Sequence, residues 1–138
     1  MEKQVAHEHV GTKTLWAGRA VSAIPVGILL MSGAFKLSAA LAGNEEMLRN
    51  WGKSGFPAST LLPIAIVEIA CALLYAVPAT AVLGAVLVTG YLGGAVATHV
   101  RVGEPAFVGP VVFGVLAWLG LYLRDPRIRA LLPLRRSA

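Results

Sequence analysis

Four apolar runs, each close to the roughly 20 residues that cross a bilayer as a helix, fill most of this 138-residue chain. The connections between them are too short to hold domains of their own. With 57% hydrophobic and 14% charged residues, the chain has too little polar surface to coat a water-soluble body of this size. The runs therefore predict an all-α protein: a bundle of four transmembrane helices making one membrane domain over residues 1–138. The spans fall at about residues 15–38, 58–77, 80–100 and 106–123.

The residues around the spans set their ends. Trp16 and Arg19 open the first at interface depth, Lys36 marks its far end, and Pro25 inside it predicts a kink or a local partner such as Ser22 for the freed carbonyl. In the longest connection Asn44 caps a short surface helix, with Glu45 and Glu46 in its first turn and an apolar side of Met47, Leu48 and Trp51. Gly52, Gly55 and Pro57 break that helix, Val77-Pro78-Ala79 makes a tight hairpin, and Val102 to Pro105 makes a turn. The tail, residues 124–138, is basic and is expected to lie on anionic lipid. Four crossings put both termini on one side. That side carries Lys3, Lys13, Arg19, Arg124, Arg127, Arg129, Arg135 and Arg136, against Lys36, Arg49, Lys53 and Arg101 on the other. The excess predicts cytoplasmic termini in a multi-pass protein of the cell membrane. It also accounts for the net charge of +5 without nucleic acid as a partner.

Glu68 is the residue whose placement costs most, because a mid-membrane carboxylate costs about 2.5–3.5 kcal/mol on insertion scales. Its helix face, with Ala65, Cys71, Ala72 and Tyr75, suits a bundle interior. His99 and Arg101 are the expected partners, although they lie roughly 15 Å away in depth at 1.5 Å per residue. Tyr91 and Thr98 could bridge that gap, and Lys36 belongs to the same outer ends. The expectation is a polar cavity opening outward that binds a ligand or relays protons. Gly90 and Gly94 form a small-residue face for helix packing. Cys71, the single cysteine, reads as a buried small hydrophobe and excludes an internal disulfide. His7-Glu8-His9 reads as a solvated arm, so no metal site is expected. Trp16, Trp51 and Trp118 read as interface anchors. No nucleotide-binding, hydrolase or zinc-protease signature is present.

Met31-Ser32-Gly33-Ala34-Phe35-Lys36-Leu37, Gly55-Phe56-Pro57, Glu68, the stretch from Gly90 to Arg101, and Trp118 to Asp125 resemble the DoxX-like family of small bacterial membrane proteins. The resemblance implies a four-helix membrane bundle. The family name comes from a subunit of an archaeal thiosulfate:quinone oxidoreductase, and relatives are linked to thiol and oxidative-stress chemistry or to assembly of membrane proteins. Thiol exchange by the chain alone would need paired cysteines, which this sequence lacks, so a self-contained thiol oxidoreductase is not the expectation. Two readings follow. One is a membrane subunit that binds a lipophile such as a quinone and receives electrons from a redox partner, with Glu68, Tyr91, Thr98, His99, Arg101 and Lys36 at the site. The other is a non-catalytic scaffold for another membrane protein. Whether the chain is an enzyme, and whether it forms a homo-oligomer, stay open at this level; a transporter is disfavoured because no span is discontinuous.

Overall fold

The computed structural model of the chain describes residues 10–132. His7, Glu8, His9, Lys3, Leu134, Arg135 and Arg136 lie outside the described residues. Among the described residues there is no strand. The α-helices are α1 (Thr12–Ala42), α2 (Glu45–Lys53), α3 (Leu61–Ala76), α4 (Ala81–Arg101), α5 (Val108–Arg124) and α6 (Pro126–Leu131). Single 3₁₀ turns lead into α3, α4 and α5, and with them four helices are long and apolar enough to cross a membrane.

Local chemistry sets each boundary. Gly43 takes the left-handed conformation, φ 64°, and stops α1. Asn44 N–H then donates to Ala39 O and Gly43 N–H to Ala40 O, the paired closure that a glycine at this position permits. Asn44 caps α2 as the sequence predicts, its side chain accepting from Met47 N–H at 3.0 Å. Thr80 Oγ1 donates to Leu74 O at 2.7 Å and ties off the α3–α4 hairpin. Asp125 accepts from Arg127 N–H at 2.9 Å and caps α6, where Pro126 needs no donor.

The four long helices form a ring in which α1 and α4 each pack against both α3 and α5. Close approach comes from glycines at the contacts. A Cβ on Gly18 would fall 2.8 Å from Arg124 N, one on Gly84 2.2 Å from Tyr75 N, and one on Gly120 2.8 Å from Ser22 N. Tyr75 is fully buried among them. Its hydroxyl lies 2.6 Å from Ala117 O and 2.9 Å from Ser22 Oγ. Its one proton goes to the carbonyl, which can only accept, so Ser22 supplies the proton of the second bond. Ser22 is thus committed to Tyr75 and not to the carbonyl that Pro25 frees. Around the outside, Ile66, Leu73, Leu83, Val86 and Val115 are exposed, the surface a bilayer solvates.

Two boundaries differ from expectation in ways that matter. Helix α1 runs to Ala42, past the expected Ser38, because Leu37 to Ala42 hold nothing that stops a helix before Gly43. Lys36 therefore lies deeper than a helix end. The described part of the tail, expected flat on the lipid surface, turns back as α6 and buries Ile128 in the core. Arg129 donates to Tyr122 O and Leu123 O and closes the end of α5.

Candidate functional site

Glu68 sits mid-way along α3 with its side chain 2% exposed. Side chains in a helix lean toward its N-terminus. Helix α3 starts at the end of the bundle away from the chain termini, so Glu68 leans that way. Helix α1 runs in the opposite direction, so Lys36 leans back into the bundle. The two meet, with Lys36 Nζ 2.8 Å from Glu68 Oε2. The ammonium also donates to Ser32 Oγ at 3.0 Å, one turn earlier on α1, and to the Tyr91 hydroxyl of α4 at 3.2 Å. An ammonium has three protons, and each has an acceptor here. The Tyr91 ring adds a cation–π contact, with Nζ 5.9 Å from its centroid.

Beside this pair lies a cavity of about 410 Å³, within the range of small-molecule sites. Lys36 and Ile64 reach it from α1 and α3, and Gly90, Tyr91, Gly94, Ala95, Thr98 and His99 from α4. Trp51, Ser54 and Phe56 close it from the connection after α1. This roof is fixed at several points. Trp51 stacks on Phe56 with centroids 5.4 Å apart, and Trp51 Nε1 donates to Thr60 Oγ1 at 2.9 Å. The Arg101 guanidinium lies 5.5 Å from the Phe56 ring and donates to Ser54 O. Gly55, at φ 82°, makes the turn beneath it, and any Cβ there would meet Arg101 Nη2 at 2.6 Å. His99 Nδ1 lies 2.9 Å from Glu104 Oε2, and Thr98 Oγ1 donates to Gly94 O at 2.9 Å.

The expected partners of Glu68 are corrected by this geometry: Lys36 takes the carboxylate, while Arg101 holds the roof and His99 pairs with Glu104. The extra turn of α1 accounts for the exchange. The helix-packing role expected of Gly90 and Gly94 is also corrected within this chain. A Cβ on either would meet nothing within 4 Å, and both line the cavity. Ser32, Trp51, Ser54, Phe56, Ile64 and Ala95 were not anticipated. Only Ser32 carries a sequence signal, its spacing four before Lys36. Trp51, expected as a surface anchor, is a roof residue, and Trp118, likewise expected as an anchor, donates across the helices to Thr89 Oγ1 at 2.8 Å.

A larger hollow of about 600 Å³ lies between α4 and α5, from Thr89 and Gly93 to Trp118 and Leu132. It has no charged side chain and opens broadly on the outer surface, so it supplies apolar contact and no chemistry. Among the described residues no group of three or more His, Cys, Asp or Glu side chains could hold a metal.

The sequence pattern that describes the DoxX-like family matches residues 20–120. The chain belongs to the DoxX-like family. Searches among characterised proteins and among solved structures returned no match. With its four candidate spans, this DoxX-like chain is a multi-pass membrane protein. The matched stretch contains every residue of the ion pair and of the cavity, while Arg19 and Arg124 fall just outside it.

Proposed function

We propose that this DoxX-like protein holds a neutral lipophile with a carbonyl-bearing head, of which a quinone is the type, in the cavity beside Lys36. The observation that carries this reading is the cavity's position on a charge pair already neutralised. Glu68 cancels Lys36 at the cavity wall, and the Arg101 guanidinium is turned onto Ser54 O and the Phe56 ring of the roof instead of lining the cavity. The Tyr91 oxygen accepts from Lys36, and its phenolic proton, which has the neighbouring Glu68 carboxylate as an acceptor, would turn to a carbonyl of the head when one is bound. Trp51 and Phe56 offer flat apolar surface to a planar ring. The missing side chains at Gly90 and Gly94 leave a channel along α4 for a tail. His99 and Thr98 would line the mouth. If the bound head is a quinone that turns over, its reduction takes two electrons from a membrane redox partner and two protons, and Lys36–Glu68 with Tyr91 is the nearest relay. The distribution of charge supports termini on the cytoplasmic side, which would open this cavity toward the opposite leaflet.

Tryptophan fluorescence tests the reading. A short-tailed ubiquinone analogue titrated into the detergent-purified protein is expected to quench with saturation. W51F should remove most of the saturable part, because Trp16 and Trp118 lie elsewhere. Y91F should weaken binding about fivefold, the worth of one hydrogen bond of about 1 kcal/mol. Quenching that is linear in wild type, or unchanged in W51F, would sink the proposal. The scaffold reading has one observation in its favour: among the described residues a Cβ on Gly90, Gly93 or Gly94 would meet nothing within 4 Å. A stoichiometric membrane protein that co-purifies equally with wild type and Y91F, without saturable quenching, would establish it.

A further inference from the structure

The opposite end of the bundle carries a second arrangement that the cavity reading leaves unused. A hollow of about 120 Å³ lies there between the start of α1, the start of α4 and the end of α5. Arg19 and Arg124 both line it, with Leu15 and Leu121 as apolar walls. Among the described residues the ion pairs are Lys36–Glu68 and His99–Glu104, so neither arginine has a carboxylate partner. Arg19 is exposed and stands over the Trp16 ring, 5.1 Å from its centroid. That ring, at interface depth, fixes the guanidinium at the level of lipid headgroups.

Arg124 is held more tightly. Its Nη2 donates to Tyr75 O at 3.1 Å, and its guanidinium lies 4.9 Å from the Tyr75 ring. Among the described residues its Nε has no acceptor and is sealed from solvent, so a ligand in the hollow meets the other guanidinium nitrogens first. A buried charged donor left unpaired is costly, and such groups point to a missing partner. Asp125 also borders the hollow; its Oδ1 accepts from Arg127 N–H at 2.9 Å, and its charge offsets one of the two guanidiniums, which leaves the lining net positive by one. The start of α4 faces the same space through Pro78 and Ala81, and no side chain caps that helix. Its N-terminal end adds partial positive charge. The space is about four waters in bulk, which suits a small tetrahedral anion.

We propose that Arg19 and Arg124 form a phosphate-binding site at the chain-termini end of the bundle, taking either a phospholipid headgroup phosphate or free phosphate. Two guanidiniums present planar forks of donors that match phosphate oxygens. The apolar Leu15 wall beside them continues into the lipid-facing surface, where the chains of a bound lipid would lie.

The test uses the full chain in mild detergent and two charge-matched variants. R19Q removes a lining guanidinium. R127Q removes an exposed arginine whose side chain takes no part in the hollow. Native mass spectrometry after delipidation reads retained phosphatidylglycerol against phosphatidylcholine. Thermal unfolding in sodium phosphate against sodium chloride at equal ionic strength reads the free anion. If the site takes a lipid, R19Q should lower phosphatidylglycerol retention about tenfold, the worth of a charged hydrogen bond, and R127Q should leave it near wild type. If it takes free phosphate, the phosphate-dependent rise in unfolding temperature should vanish in R19Q and persist in R127Q, without retained phosphatidylglycerol. Equal losses in R19Q and R127Q, or no dependence on either ligand in wild type, would overturn the site.

Discussion

K36M is expected to lower unfolding stability by about 3–5 kcal/mol, the range for removing one member of a buried ion pair. The cause is what remains. Glu68 is 2% exposed and its Oε2 makes its 2.8 Å contact with Lys36. Without the ammonium the carboxylate must take up a proton or stay charged in a medium that does not solvate it. The acceptors Ser32 Oγ and Tyr91 OH lose their donor at the same time. E68Q should be milder. Lys36 is 18% exposed, and its flexible stem lets the ammonium move toward the cavity and its water. The double variant K36M/E68L should recover most of the loss, because replacing both charges by apolar groups removes the desolvation penalty with the attraction. Heat unfolding in detergent, followed by circular dichroism, orders the variants. A K36M protein within about 1 kcal/mol of wild type would mean that the pair is not buried as described.

That expectation could not be reached from the residues alone, and the reason is geometric. The four spans, the Asn44 cap and the short hairpin are local signals, so the all-helical membrane fold was legible. Lys36, Glu68, Tyr91, Thr98 and His99 were legible as polar residues in apolar surroundings. Their pairing was not. It depends on the relative depth of three helices, and ending α1 at Ser38 instead of Ala42 misplaces Lys36 by about 6 Å at 1.5 Å per residue. The Gly43-Asn44 pair was the available signal for the true end. Arg101 illustrates a different limit. Its partner, Ser54 O, is set by the Gly55 turn in a distant connection, and no spacing rule within α4 encodes that. The roof formed by Trp51 and Phe56 is likewise tertiary: each aromatic residue alone is indistinguishable from an interface anchor.

The glycines of α4 yield the second large effect, and they separate packing from binding. G84A is expected to cost about 3 kcal/mol, the upper end for overpacking. Its Cβ would lie 2.2 Å from Tyr75 N and 2.3 Å from Tyr75 Cα. Both are backbone atoms with no rotamer to yield, so the α3–α4 hairpin itself must open. That movement pulls Tyr75 from Ala117 O and from Ser22, across the bundle. G90A is expected to act in the opposite sense on stability. Its Cβ meets nothing within 4 Å, and alanine is favoured over glycine inside a helix by about 1 kcal/mol. The new methyl group would project into the cavity, so the same variant should bind a quinone analogue more weakly while unfolding at the wild-type temperature or above. The two glycines lie on one helix and look alike as sequence. Unfolding midpoints and quenching titrations on both variants divide their roles: a destabilised G90A would place a helix against that face, and a tolerated G84A would mean that α3 and α4 do not approach as closely as their backbones indicate.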